Sequence, residues 1–326
     1  MAGDAGRACP LAYRYRPETL CRSPEPAAAE VLYVIGGLYG NLEALDEIER
    51  MAAAERRAGR RVRLLFNGDF NWFNASDALF RAVNERVLAH TASLGNVEYE
   101  LARPSPGAGC GCAYPDFVDA GVVARSNRIM ARLQAVAARH PDLAQALSGL
   151  PRFRCLMFGG LKILLLHGDP ESLAGWGLAR EAFLAGNGVQ VADWFRATGA
   201  DAMVCTHTCL PVLWSGPVAG GERVVVNNGS AGMGNLSNDP RGLLVRMAAG
   251  EAGAPEALAG VSCRGVRFDL VPVAYDLPAW LSRFDALWPS GSEAERSYRQ
   301  RLLTGTALTP EQLVFPAKVS WDCHSR

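Results

Sequence analysis

VLYVIGGLYGN at residues 31–41 and RVRLLFNGDF at residues 61–70 are two apolar runs, each broken by glycine and followed by a polar residue. Each run has the length of a buried strand and is too short to stand as a helix. Between them, Leu42 to about Arg57 spaces its apolar residues as an amphipathic helix does. The order strand, helix, strand predicts an α/β unit whose polar residues sit at the carboxyl ends of the strands, where such sheets gather their ligands.

Working outward, the pattern repeats. A helix is predicted over 76–90, then a short strand at 91–94 that runs into Gly95-Asn96-Val97-Glu98. A loop rich in Pro, Gly and Cys (104–114) leads to a long helix near 118–139. The runs 153–158 and 161–167 flank Gly159-Gly160, which predicts a hairpin with a primed turn, and the second run ends in His167-Gly168. Helices near 178–185 and 189–198 precede a strand at 202–205 that ends in Thr206-His207-Thr208-Cys209. Further strands are expected at 223–227, 243–247 and 266–275, and helices at 278–288 and 293–303. We therefore expect an arm at 1–29 packed on the surface, a main domain at 30–276, and a helical extension at 277–326 packed on it.

Apolar residues make up 49% of the 326-residue chain and charged residues 20%, with a formal net charge of zero. That balance suits a globular protein with a sizeable core and lacks the basic surplus of a duplex-nucleic-acid binder. No apolar run approaches the roughly 18 residues of a membrane span, and residues 1–23 lack the apolar centre of a secretory signal. With nine cysteines, an odd number, the expected compartment is the cytoplasm and the expected state of the thiols is free. Cys110-Gly111-Cys112 is expected as a reduced pair on the rim of the crevice. The competing reading makes it a thiolate metal site with Cys205 or Cys209.

Asp69, Asn96, His167 and His207 all follow predicted strands, so two oxygens and two imidazoles are placed to meet. That donor set suits Mn, Fe or Zn. Singly, each residue has an ordinary role: a histidine after a strand as a hydrogen-bonding strut, an aspartate after glycine as a turn residue. Trp72, Phe73, Trp176 and Trp194 could line a cleft, although core packing is their commoner use. Gly36-Gly37 with Gly40 invites a dinucleotide-binding reading, but Ile35 stands where that fingerprint requires glycine.

Taken in order, these clusters resemble the calcineurin-like metallophosphoesterases, whose motifs run D-x-H-G-N, G-D-x-x-D, G-N-H-E, H-G and G-H-T-H. The resemblance spans about Val31 to Gly232, with Gly229-Ser230 similar to the family's closing turn. It implies a four-layer α/β/β/α sandwich and a metal-dependent phosphoric ester hydrolase acting on a small phosphoester or phosphodiester. The departures are ordered. Gly37 and Tyr39 stand where the first motif has Asp and His, Trp72 replaces the last Asp of the second motif, Val97 replaces the catalytic His, and Cys209 replaces the final His.

The resemblance thus implies that one ligand set is intact, Asp69, Asn96, His167 and His207, with Asp69 and His207 also catalytic. The other set keeps only the shared Asp69. One divalent ion is expected. A second, held by Tyr39, Asp69 and Cys209 as anions, is the alternative reading of those positions, and Asn41 is a further candidate for substrate contact. The alternative function is a catalytically silent binding protein of the same fold with one structural metal.

Overall fold

The structure, a computed structural model, describes residues 5–218, 220–250 and 252–316. Cys323 and the outer ends of the expected arm and extension (1–4 and 317–326) lie outside the described residues.

Two sheets face each other. One has six strands in the order Ala259–Cys263, Val266–Val273, Gly242–Ala249, Val31–Ile35, Val62–Asn67, Thr91–Ser93. The other has seven, in the order Glu25–Pro26, Phe153–Phe158, Leu161–Leu166, Ala202–Cys205, Gly221–Asn228, Pro211–Val218, Val314–Phe315. Alternation along each strand splits its side chains between two cores. In Val31–Ile35, Leu32 and Val34 point between the sheets and meet Ile163, Val204 and Val226. Val31, Tyr33 and Ile35 point outward, to a core shared with the helices Leu42–Arg57, Asp77–Leu88, Ala120–Ala137 and Leu277–Leu287. On the far side of the second sheet, Leu164, Met203 and Val225 pack under the helix Gly188–Thr198, chiefly on Val191, Trp194 and Phe195. The result is the four-layer α/β/β/α sandwich. Each of these side chains contributes roughly 1.5–3 kcal/mol by leaving water.

The three strands Val31–Ile35, Val62–Asn67 and Thr91–Ser93 are mutually parallel, as are Leu161–Leu166, Ala202–Cys205 and Gly221–Asn228. Their carboxyl ends open into one crevice. The predicted hairpin is present with both turn glycines at positive φ, 56° and 83°, as a type I′ turn requires.

Several elements differ from expectation. Pro211–Val218, Ala259–Cys263 and Glu25–Pro26 are additional strands, and Pro141–Ser148 and Asn96–Ala102 additional helices. The arm does more than coat the surface: Tyr13 is fully buried and donates to Glu100 Oε1 at 2.6 Å, while Glu25–Pro26 pairs in parallel with Phe153–Phe158. The C-terminal helices place Trp280, Phe284, Trp288 and Leu302 wholly in the outer core of the first sheet. Among the described residues no helix is long and apolar enough to cross a membrane.

Candidate metal centre

Each intended ligand follows a strand, and the two sheets bring the four together. His167 extends the hairpin strand at the centre of the second sheet, and its main-chain carbonyl accepts the amides of Thr206 and His207 at 3.1 and 2.9 Å. That contact seats His207 beside His167. From the first sheet, Asp69 follows Val62–Asn67, and Asn96 opens the helix Asn96–Ala102. All four residues are buried, none more than 6% exposed.

The inward atoms converge on His167 Nε2. It lies 3.1 Å from Asn96 Oδ1, 3.2 Å from His207 Nδ1 and 3.3 Å from Asp69 Oδ1. Donors sharing an ion at about 2.1 Å each, at angles between right and tetrahedral, would be about 3.0–3.4 Å apart. The spacing fits one ion. Among the described residues, Asp69, His167 and His207 form the one group of three or more His, Cys, Asp or Glu whose ligand atoms lie within mutual reach, all within 4.8 Å.

The outward atoms fix which lone pairs face the centre. His167 Nδ1 meets the Asn67 carbonyl at 3.0 Å and His207 Nε2 meets the Cys112 carbonyl at 3.0 Å. Carbonyls only accept, so those nitrogens carry the ring hydrogens and the inward nitrogens are bare in the neutral rings. Asn96 Nδ2 donates to the Cys110 carbonyl at 3.1 Å, which turns Oδ1 inward. Two nitrogens and two oxygens therefore converge in a buried spot with acceptors only, an arrangement that calls for a cation.

A carboxylate behind the centre holds the loops. Glu98 accepts main-chain N–H groups from Asp69 (2.7 Å), Asn71 (3.0 Å) and Gly95 (3.1 Å). Burial first, and then the charge of Asp69, push Glu98 up to about 7, against those amides. The close approach demands glycine: a Cβ on Gly95 would lie 2.2 Å from Asp69 Oδ1 and 2.9 Å from His167 Cε1. Gly95→Ala is accordingly expected to displace both ligands and to weaken metal binding by about 10–100-fold, as second-shell changes do; titration with Zn²⁺ or Mn²⁺ checks it.

Protons compete for the same spot. Burial alone would depress His167, but the charge of Asp69 and the hydrogen bond to it outweigh burial and raise the imidazole above its ordinary 6.5. Burial, and then His167, hold His207 down at about 4. Metal affinity is therefore expected to fall about tenfold per pH unit as the pH drops through the raised value of His167, with His207 contributing only near pH 4. Metal titrations repeated about every pH unit from mildly alkaline to mildly acidic solution measure that slope.

The positions that depart from the motifs lie together on the other flank. Tyr39 Oη and Cys209 Sγ are 2.7 Å apart, both buried or nearly so, and burial raises both above their ordinary values. Both shifts favour the neutral forms, and the two side chains occupy each other. Tyr39, Asp69 and Cys209 all adopt positive φ (54°, 53° and 59°), three of the six described non-glycine residues that do. Strained backbone is concentrated here, as at many functional sites. Asn41 is fully buried and used within the fold: Oδ1 accepts from Ala44 N and caps the following helix, while Nδ2 donates to the Gly232 carbonyl.

A cavity of about 210 Å³ opens over the centre, lined by Asp69, Asn96, His207, Tyr39 and Cys209 together with Trp72, Val97, Trp176, Tyr298 and Arg301. Phe73 and Trp194 are instead packed in the two outer cores. Cys110 and Cys112 are free thiols; Cys112 lines the cavity, whereas Cys205 faces the helices behind the second sheet. That orientation separates Cys205 from the loop and removes it from any shared thiolate site. What the sequence did not signal is the loop's main-chain role, because a carbonyl acceptor is common to every residue type. Arg301 and Tyr298, on the helix Glu293–Thr304, belong to no motif and were likewise unforeseen.

No protein-family model matches the chain, and no curated protein matches it significantly. Solved structures do. A hypothetical protein from Pyrococcus horikoshii OT3 matches with a TM-score of 0.55 at 14% identity, over 85% of this chain and 99% of that one. A metallophosphoesterase from Sphaerobacter thermophilus matches with a TM-score of 0.50 at 17% identity, over 85% of this chain and all of the other. At such identity the likeness is one of fold. The chain has the calcineurin-like metallophosphoesterase fold.

Proposed function

We propose that this chain is a metal-dependent phosphoesterase with a single-metal site formed by Asp69, Asn96, His167 and His207. The observation that carries the reading is the buried convergence of four acceptor atoms, with both imidazoles oriented from behind by main-chain carbonyls. The donor set suits one Mn, Fe or Zn ion. Bound there, such an ion would polarise a phosphoryl oxygen.

The chain's own residues define the rest. Asp69 and His207 border both the centre and the cavity, so a small phosphoester entering the cavity reaches them directly. Val97, 2% exposed, offers no proton at the position of the family's catalytic histidine. A leaving group must then depart without a general acid, an assistance typically worth about 10²–10⁴ in rate. Aryl phosphates and phosphodiesters with good leaving groups are the preferred substrates on this reading, and alkyl monoesters poor ones. Cytoplasmic residence and the division into arm, domain and extension belong to the same proposal.

Val97 is also the feature that favours a second reading, a binding protein with a structural ion. Elemental analysis of the purified protein, run beside p-nitrophenyl phosphate, bis-p-nitrophenyl phosphate and glycerol phosphate assays, separates the two. Chelator-sensitive turnover of the aryl esters supports the hydrolase. A full complement of metal with no turnover of any ester supports the binding protein, and no metal at all overturns both.

A further inference from the structure

Opposite the four ligands, on the flank where Tyr39 and Cys209 have replaced the family's metal-binding residues, one cationic side chain enters the cavity. Arg301 reaches it from the helix Glu293–Thr304. Its Nε donates to the Gly234 carbonyl at 2.9 Å and its Nη2 to the Cys209 carbonyl at 2.6 Å. These two struts fix the plane of the guanidinium. Nη1 makes no hydrogen bond to a described residue, is not among the buried unpaired atoms, and Arg301 forms no ion pair with a described carboxylate. Arg246 and Arg86 are instead clasped by carboxylates, Arg246 by Glu55 and Asp269 and Arg86 by Asp46 and Glu49, while Arg180 and Arg7 also bond only main-chain carbonyls but do not line this cavity.

An arginine held rigidly by neutral carbonyls, with a free donor and no counter-charge, is arranged to receive an anion. We propose that Arg301 is the anion-positioning residue of this crevice. It binds a non-bridging phosphoryl oxygen of the substrate and supplies positive charge on the flank where the first ligand set is lost. The proposal deepens, and rests on, the reading of the crevice as a phosphoester site. It narrows the substrate to esters whose phosphoryl group can lie between Arg301 and the Asp69–His207 side of a cavity of about 210 Å³. Tyr298, one turn earlier on the same helix, together with Trp72 and Trp176, lines the same cavity and leaves the remainder of the ester an aromatic wall.

The test uses inorganic phosphate as the probe. Phenylglyoxal modification of the wild-type protein, mapped by mass spectrometry with and without phosphate, is expected to show Arg301 protected by phosphate. Equal modification in both conditions overturns the proposal, and no variant has to fold for that result. In parallel, Arg301→Gln and Arg301→Lys are compared by calorimetric phosphate titration, metal content and melting temperature. Arg301→Gln is expected to weaken phosphate binding by about tenfold or more, the loss of a charge-assisted hydrogen bond, with metal content unchanged. Arg301→Lys is expected to lose less, and the KM for aryl esters should rise more than kcat falls. Phosphate affinity within about twofold of wild type in a folded Arg301→Gln protein overturns the assignment and leaves Arg301 as a strut between the Gly234 and Cys209 loops. Protection can be read without metal or turnover, so failure of the hydrolase reading and failure of this one give different results.

Discussion

Replacing Gly37 by Asp, Tyr39 by His and Cys209 by His raises the bound metal from about one ion per chain toward two. Tyr39 and Cys209 line the cavity beside Asp69, and Gly37 lies against the Tyr39 ring, so a rebuilt set would share that carboxylate. In the wild type they are poor ligands: Gly37 has no side chain, and burial raises Tyr39 and Cys209, which are hydrogen-bonded to each other at 2.7 Å. Space is the first concern. A Cβ on Gly37 would lie 2.9 to 3.1 Å from the ring and hydroxyl of Tyr39, but Tyr39→His removes that ring. Backbone is the second: Gly37 has φ +62°, a region that Asp and Asn visit more readily than other non-glycine residues. Adding Val97→His to the triple variant returns a proton donor beside Asp69, whose Oδ1 already accepts the Val97 amide at 3.2 Å. Hydrolysis of alkyl monoesters is then expected to rise by about 10²–10⁴, the usual span of general-acid assistance. Elemental analysis and steady-state rates follow the two gains separately, and a folded triple variant that still carries one ion refutes the account of the lost set.

Asp69→Asn has the opposite outcome. The side chain keeps its shape and its contact with the Val97 amide, but the centre loses its one charged ligand. Removing one partner from a buried charged set costs about 3–5 kcal/mol, which corresponds to about 10²–10⁴ in metal affinity. Hydrolysis falls with it. A circular dichroism spectrum matching that of the wild type separates loss of metal from loss of fold, and turnover that persists in the metal-depleted variant would show the chemistry to lie elsewhere.

Parts of both sheets were legible because their strands are largely apolar runs closed by glycine. Val31–Ile35 and the hairpin Phe153–Phe158 with Leu161–Leu166 announce themselves in that way. Pro211–Val218 does not. It begins with proline and carries Ser215, Gly216 and Pro217, which normally mark a turn, and it tolerates them because beyond Gly221–Asn228 its other neighbour is only the two-residue strand Val314–Phe315. Ala259–Cys263 lies at an edge, with most of its residues half-exposed, so no apolar alternation reports it. The candidate ligands were legible for a related reason: each directly follows a strand, and strand ends of parallel sheets meet. Their supports were not. Glu98 was visible as part of a motif, but its grip on three separate amides depends on the fold that brings Asp69, Asn71 and Gly95 round it. Arg301 lies 67 and 92 residues from the two carbonyls it grips, in a helix whose sequence reads as ordinary amphipathic surface.

The loop that orients Asn96 and His207 does so through the carbonyls of Cys110 and Cys112, and Cys112 also receives the indole N–H of Trp176. Every amino acid brings the same carbonyl, so the two cysteine side chains can change and the ligands stay aimed, whereas Gly109 and Gly111, at φ +62° and +70° with no room for a Cβ, cannot. Nor can the loop change its length. A single residue gained or lost between Gly109 and Ala113 would rotate both carbonyls out of place, whereas serine or alanine at either cysteine would leave them there. Among variants of this chain, that segment is therefore expected to keep its length and its two glycines and to accept other small residues at the cysteines.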